Sequence, residues 1–457
     1  MSEPMIHEPA RELEILRDAD LVVCGGGPAG IAAALGAARN GAKTLLLEQY
    51  GFLGGTATMG GVSSFAYGFH DKRRFLIGGV FAEIRDELHR RKALIKTARY
   101  GWEPFHPEVY KSLLLELLAG AGVDILLHTW ISDAVMARDA LEAVIVESKA
   151  GRQAVTGRFF VDATGDADVA FRAGLPCTVG RSESDHAVQA MTLMYYLCGV
   201  DIHKTGEFLA REGRRGYWKD ENGEPYLNAT GFQAEIVKAR AAGDLTIQRD
   251  HVASLFTVPW LEGVVGVNFG RIMGITPLDP ASQTAAATEG RRQIENGIAF
   301  LRKYVPGFEK ATLLSAAPQV GVRETRRITG DYELTDKDLL ACTQFEDVVA
   351  QACYMIDVHQ PDSDKTILTK LEPGTHYDIP YRCLLPQGVR NLYAAGRCIS
   401  ASHLALSSTR VQAICMALGQ AAGTAAALVL RDGKADIRGI SVHRIQEQLR
   451  ADGAILE

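Results

Sequence analysis

Residues 22–61 read VVCGGGPAGIAAALGAARNGAKTLLLEQYGFLGGTATMGG. Two glycine clusters flank one acid, Glu48, and each needs a physical reason. The apolar run Leu21 to Gly25 ends in glycine, which predicts a parallel strand buried on both faces. An alanine-rich stretch from Pro28 predicts a helix that closes at Asn40-Gly41. Lys43 to Glu48 predicts a second strand, completing a β-α-β unit. Within it, Gly25-Gly26-Gly27-Pro28-Ala29-Gly30 fits G-x-G-x-x-G in the strand-to-helix context that gives this motif meaning. Gly25 permits the tight turn, Gly27 lets a pyrophosphate approach the backbone, and Gly30 lets helix and strand pack closely. The first helical turn adds free N–H groups and a positive dipole end. Glu48 ends the next strand 18 residues after Gly30. A carboxylate there accepts hydrogen bonds from ribose hydroxyls and repels a 2′-phosphate. The expected ligand fragment is an ADP moiety.

The rest of the composition bounds the reading. The chain has 457 residues, of which 47% are hydrophobic and 23% charged, as in an ordinary globular protein of two domains or one large one. A net charge of −6 gives no nucleic-acid footprint. The opening MSEPMIHEPARELEILRDAD mixes acids into its first residues and lacks the layout of a signal peptide. Eight cysteines are scattered without Cys-x-x-Cys or other metal-like spacing, so no metal is expected and the thiols fit a reducing cytoplasm. Val411 to Leu430 is long enough to span a bilayer and contains a G-x-x-x-G at Gly419 and Gly423. It is built on alanine and glycine, carries Gln412 and Gln420, and stands alone. A buried helix is expected there, not a membrane span.

An ADP fingerprint is shared by NAD and FAD, and three further features choose FAD. Gly54-Gly55-Thr56, with Gly60-Gly61, follows Glu48 almost at once. FVDATGDAD (160–168) places Ala163-Thr164-Gly165-Asp166 after an apolar strand. LYAAGRCIS (392–400) places Ala395-Gly396-Arg397 after a late strand, just before the long small-residue helix. Between these lies a stretch richer in charge and aromatic residues, with loop-like pieces such as KDENGEPYLNATG and no β-α-β rhythm. The expected fold is α/β: a Rossmann-like domain formed by both chain ends (15–174 and 379–457) around an inserted α+β substrate domain (175–378). Residues 123–148 read as strands of a smaller sheet, with a return strand after them.

With GGGPAG, GFLGGTATMGGVSSF, FVDATGDADVAFRAG, VGVRETRRITGDYELT and NLYAAGRCISASHLALSSTRVQAICMALGQAAG, the chain resembles the glutathione-reductase-like flavoproteins. More narrowly, it resembles the FAD-dependent oxidoreductase family. The resemblance implies a three-layer β-β-α cofactor domain with non-covalent FAD. It places Gly25, Gly27 and Gly30, with Pro28 and Ala29, at the pyrophosphate, and Glu48, followed by Gln49, at the adenosine ribose. Gly54, Gly55 and Thr56 would lie by the pyrophosphate and ring, Ala163, Thr164 and Gly165 by the adenine, and Gly396 and Arg397 by the pyrophosphate and ribityl chain. Most relatives carry an acid after that last glycine, so Arg397 is a departure. The start of the final helix, with Ser408 and Val411, would meet the flavin pyrimidine edge, where a positive helix end stabilises negative charge.

No second fingerprint and no redox cysteine pair are present. The expected chemistry is therefore hydride exchange between a small organic substrate and flavin, with oxygen, a quinone or a carrier protein as electron acceptor. A reductase fed by an external donor, or a non-redox flavoprotein, is the alternative. Such chemistry needs a base for the heteroatom proton. His403, between AGRCIS and the final helix, is the candidate, against a reading as a structurally satisfied histidine; His251, His359 and His376 are expected to be structural. Arg323 is assigned a flavin-facing or substrate-anchoring role, whereas Arg326 and Arg327 are expected to form a network with Glu324. Tyr381 and Arg382 are expected to wall the cleft. Cys398 and His70 are not expected to attach flavin. A hydroxylated or carboxylated substrate and a possible homodimer complete the reading.

Overall fold

The apolar run before the first glycine cluster becomes the strand Ile15–Cys24, and the fingerprint helix follows as Pro28–Arg39. These belong to a computed structural model that describes residues 5–68, 70–71, 74–97, 102–182 and 184–456. Asp124–Leu126, Thr44–Leu47, Ile15–Cys24 and Gly151–Asp162 lie side by side, all parallel. Residues 21–24, 45–47 and 159–161 within them are buried, as in a sheet covered on both faces. Leu392–Ala394 from the far end of the chain adds in parallel to Gly151–Asp162, with Phe160 opposite Leu392 and Asp162 opposite Ala394. Cys24 pairs with Leu47 on one side and Asp162 on the other. Four strand ends thus finish level at one rim, where ligands bind in open α/β sheets.

The smaller antiparallel unit, Trp130–Ala137 with Ala140–Ser148, is continuous with this sheet. The reason is one long strand. Gly151–Asp162 pairs antiparallel with Ala140–Ser148 through its first half, then parallel with Leu392–Ala394 through its last residues.

The final helix, Gln412–Arg431, lies against the fingerprint helix. A Cβ on Gly419 would sit 1.9 Å from the Ala29 carbonyl oxygen, and one on Gly423 would sit 2.0 Å from that of Ala33. Small residues are needed because the helix axes approach to backbone contact. Of the helix's most apolar stretch, 89% is buried, so its hydrophobicity serves this packing.

A second, six-stranded antiparallel sheet runs Tyr217–Lys219, Pro225–Gly231, Val252–Thr257, Val265–Asn268, Tyr195–Cys198 and Thr312–Ala316. Leu197, Leu255, Val265 and Val267 pack there with Ile294 and Phe300 of the helix Pro280–Tyr304. The polar segment 219–231, which reads as a loop, is a β-hairpin instead. Asp220 Oδ1 accepts hydrogen bonds from the N–H groups of Asn222 and Glu224, and Gly223 takes a left-handed φ of +83°. The hairpin is at the sheet edge, where polar side chains face water and conceal the strand signal. Residues Val348–Ala352, Tyr377 and Ile379 pack with the first core, beside Tyr393 and Ile414.

Candidate functional site

The two glycine clusters meet at the sheet rim. Gly25 has φ +107°, and a Cβ there would lie 2.6 Å from the Ala163 carbonyl oxygen. A Cβ on Gly30 would lie 1.8 Å from the Gly25 oxygen. Both glycines are required by the chain's own packing. Gly27 differs. It is extended (φ −77°, ψ −176°), and the nearest heavy atom to a Cβ there is the Gly55 Cα, at 3.8 Å. No contact among the described residues demands glycine at this position, so the open surface is a cradle that a side chain would fill. Gly55 (φ +52°) and Gly54 (φ +112°) bring the second cluster onto the first, and Thr56 follows in the same short turn. Pro28 occupies the first helical position, and Ala29 packs beneath Gly396, whose Cβ would lie 3.0 Å from that of Ala29. Gly27→Ala is accordingly expected to change apo-protein stability by no more than about 0.5 kcal/mol. FAD retention should weaken at least about tenfold, read by flavin release on dilution.

Glu48 is 6% exposed, and its Oε2 accepts the Gly26 N–H at 2.7 Å while Oε1 accepts the Tyr50 N–H at 2.9 Å. Burial raises its pKa, and the backbone N–H groups oppose that rise. A carboxylate has about four acceptor sites, so capacity remains for two ribose hydroxyls. Gln49 beside it is exposed. Across the rim, Thr164 Oγ1 donates to Asp162 Oδ1 at 2.7 Å, and Ala163 leads into Gly165, with φ +80°. Arg397 lies over Gly165 and donates from Nη2 to Asp166 Oδ1 at 2.9 Å. Its Nη1 is buried without a partner among the described residues. Asp166, just past the end of the neighbouring strand, supplies a carboxylate beside this guanidinium, whose unpaired N–H fits an anionic pyrophosphate.

Val411 caps the final helix, whose first N–H groups face no intrahelical carbonyl. Around it, Gln412 Oε1, Ser64 Oγ and Thr409 Oγ1 are buried without partners among the described residues. Buried polar groups are normally satisfied, and this mixture of donors and acceptors fits the polar edge of a flavin. Ser408 turns elsewhere: its Oγ lies 2.6 Å from both the Tyr354 carbonyl oxygen and Tyr377 Oη. Ser64, Thr409 and Gln412 carry no motif-level signal strong enough to single out their side chains.

His403 starts the helix His403–Thr409, capped by Ser402, and is 8% exposed. Its Nδ1 lies 2.9 and 2.8 Å from the two oxygens of Glu324, which is fully buried. Glu324 also accepts hydrogen bonds from Arg327 Nη1 and, at 3.1 Å, from the Gln189 N–H. Arg327 continues to the carbonyls of Ala401 and Gly180, while Arg326 reaches the Asp166 carbonyl and Asp168 Oδ1. Arg327 thus joins Glu324 as expected, whereas Arg326 pairs instead with Asp168 and the Asp166 carbonyl; together they pin residues 323–328 to the rim. Arg323 stands apart from them, half-buried, donating from Nη1 to the Ala190 carbonyl at 2.5 Å and to Thr192 Oγ1 at 3.1 Å.

His251 pairs with Asp250, His359 with Asp357, and His376 faces Gln351. Tyr381 Oη donates to the Ile437 carbonyl at 2.9 Å and lies 3.0 Å from Tyr393 Oη, while Arg382 is exposed and pairs with Asp347; both join elements of the first core. Cys398 is buried, with Sγ donating to the Asp162 carbonyl, and His70 is buried edge-on against Phe75.

Residues 20–449 match the model of the FAD dependent oxidoreductase family. A thiamine thiazole synthase of Methanococcus vannielii is 31% identical over 170 residues, which span 34% of this chain and 59% of that protein. Among solved structures, a geranylgeranyl bacteriochlorophyll reductase-like protein of Thermoplasma acidophilum is similar, at 12% identity and a TM-score of 0.50. The similarity covers 96% of this chain and 84% of that one. A p-nitrophenol 4-monooxygenase of Pseudomonas putida has 12% identity and a TM-score of 0.46, covering 94% and 83%.

Proposed function

The chain belongs to the FAD-dependent oxidoreductase family, and on that premise we propose that it exchanges a hydride with a small polar organic molecule bearing a hydroxyl or carboxyl group. The observation that carries this reading is the buried Glu324–His403 pair. A carboxylate only accepts hydrogen bonds, so Nδ1 of His403 holds its proton and Nε2 is the basic nitrogen. Nε2 has no hydrogen-bond partner among the described residues. It is therefore available to take a proton from a substrate heteroatom, and Glu324 stabilises the imidazolium that results. Bound FAD supplies the two-electron acceptor for the hydride. Residues 15–174 and 379–457 hold the cofactor in this reading, and residues 175–378 face the substrate, with Arg323 as its cation.

The test is anaerobic mixing of the yellow protein with hydroxy acids, sugars, amines and heteroaromatics. At least one is expected to bleach the visible flavin band. His403→Gln should then slow bleaching by about 10²-fold or more without loss of bound FAD. If dithionite alone bleaches the flavin, the redox reading fails.

A further inference from the structure

Arg249 is the largest side chain in the fully buried set, at 1% exposure, and it is incompletely paired. Its Nη1 donates to Asn268 Oδ1 and the Gly270 carbonyl, each at 3.2 Å, while Nε and Nη2 have no partner among the described residues. Those two nitrogens form one edge of the guanidinium fork, the edge that grips a carboxylate through two parallel hydrogen bonds. Buried charges in proteins are ordinarily paired, so an unpaired fork edge this deeply buried calls for an anion.

The neighbours strengthen the case. Thr192 Oγ1 donates to the same Gly270 carbonyl at 2.9 Å and accepts from both Nη atoms of Arg323, which links the two arginines through one short path. Arg410 approaches from the cofactor side, just ahead of the final helix. Its Nη2 meets the Asp357 carbonyl at 3.2 Å and Oδ2 at 3.6 Å, and its Nε is buried and unpaired among the described residues. Burial first, then the fields of Arg410 and Arg249, disfavour the charged form of Arg323 when no anion is present.

Asp357 is the carboxylate within this group, and it already serves Arg410, His359 and Tyr354. Asp250 turns to His251 at 2.6 Å, and burial disfavours the charged form of His359. The fields of all three guanidiniums reach this one committed carboxylate. Arg271 is a useful contrast: its nitrogens are taken up by the carbonyls of Gln360, Ser363 and Lys365 and by Thr366 Oγ1, as expected of a purely structural arginine.

We propose that Arg249, Arg323 and Arg410 form the binding site for the carboxylate of a small organic acid. This inference rests on the reading of the protein as an enzyme acting on a polar small molecule, and it names the group by which that molecule is held. Arg249 supplies the two-pronged grip, Arg323 neutralises charge from the Thr192 side, and Arg410 places the anion next to the start of the final helix.

Binding is tested in the oxidised FAD-loaded protein, without turnover. Malonate, succinate and benzoate are titrated, with malonamide and inorganic phosphate as controls, and both the visible spectrum of bound FAD and the thermal unfolding curve are recorded. At least one carboxylate should give a saturable spectral change and a raised unfolding temperature, and malonamide should give neither. Arg249→Met should weaken that carboxylate about 30-fold or more. Arg249→Lys, which keeps the charge and loses the fork, should weaken it about tenfold and serves alone if the methionine variant does not fold. Equal affinity in the wild type and the lysine variant, no saturable response to any carboxylate, or tighter binding of phosphate would each overturn the proposal. Carboxylate binding without substrate bleaching would leave this site standing and remove only the redox reading.

Discussion

Gly30→Ala is expected to emerge from purification colourless. The added Cβ would stand 1.8 Å from the Gly25 carbonyl oxygen, and that atom is backbone, so no side-chain rotation relieves the clash. The turn cannot yield either. Gly25 N–H donates to the Leu47 carbonyl, Gly54 N–H to that of Gly26, and Ala163 N–H to that of Cys24, tying the turn to both neighbouring strands and to the second glycine cluster. Overpacking a close-packed interior costs 1–3 kcal/mol and occasionally more; a backbone collision belongs at about 3 kcal/mol or above. The same displacement tilts the first N–H groups of Pro28–Arg39 away from the cradle at Gly27. Absorbance of the purified protein and its thermal unfolding, beside the Gly27→Ala variant, check both effects. A Gly30→Ala protein with full FAD and wild-type unfolding temperature would contradict the account.

Glu324→Ala should be the most destabilising change among the charged residues. The carboxylate is fully buried between Arg327, His403 and the Gln189 N–H. Its removal leaves the Arg327 charge buried without compensation, a loss of about 3–5 kcal/mol. Glu324→Gln separates packing from chemistry. The amide keeps the volume and one acceptor oxygen, so part of the stability returns. It removes the negative charge that stabilises the imidazolium, however, and flavin reduction by substrate should fall about 10- to 100-fold. A glutamine variant with wild-type reduction rate would show that the pair is structural only.

The cofactor half of the molecule was legible because its constraints are local. Gly25, Gly27, Gly30 and Glu48 sit within one β-α-β unit, where chain spacing alone sets their geometry. The small-residue pattern after Val411 likewise announced a close approach, and Gly419 and Gly423 meet the Ala29 and Ala33 carbonyls. The hairpin at 219–231 escaped notice because an edge strand shows water the same polar residues that a loop does.

What stayed hidden were partnerships between distant segments. Nothing in the order of residues links Asp166 to Arg397, Glu324 to His403, or Arg323 to Thr192. Ser408, expected near the flavin end of the final helix, has its hydroxyl committed to Tyr354 and Tyr377, a partnership between distant segments that sequence order does not show.

By itself, then, the order of amino acids determined the nucleotide-binding strand, turn and helix, the acid after them, and the helix of small residues, because periodicity and glycine placement act within a few residues of chain. Only the tertiary structure decided which charges are paired and which are left open. Pairing depends on which backbones meet across hundreds of residues, and on water being excluded where they meet.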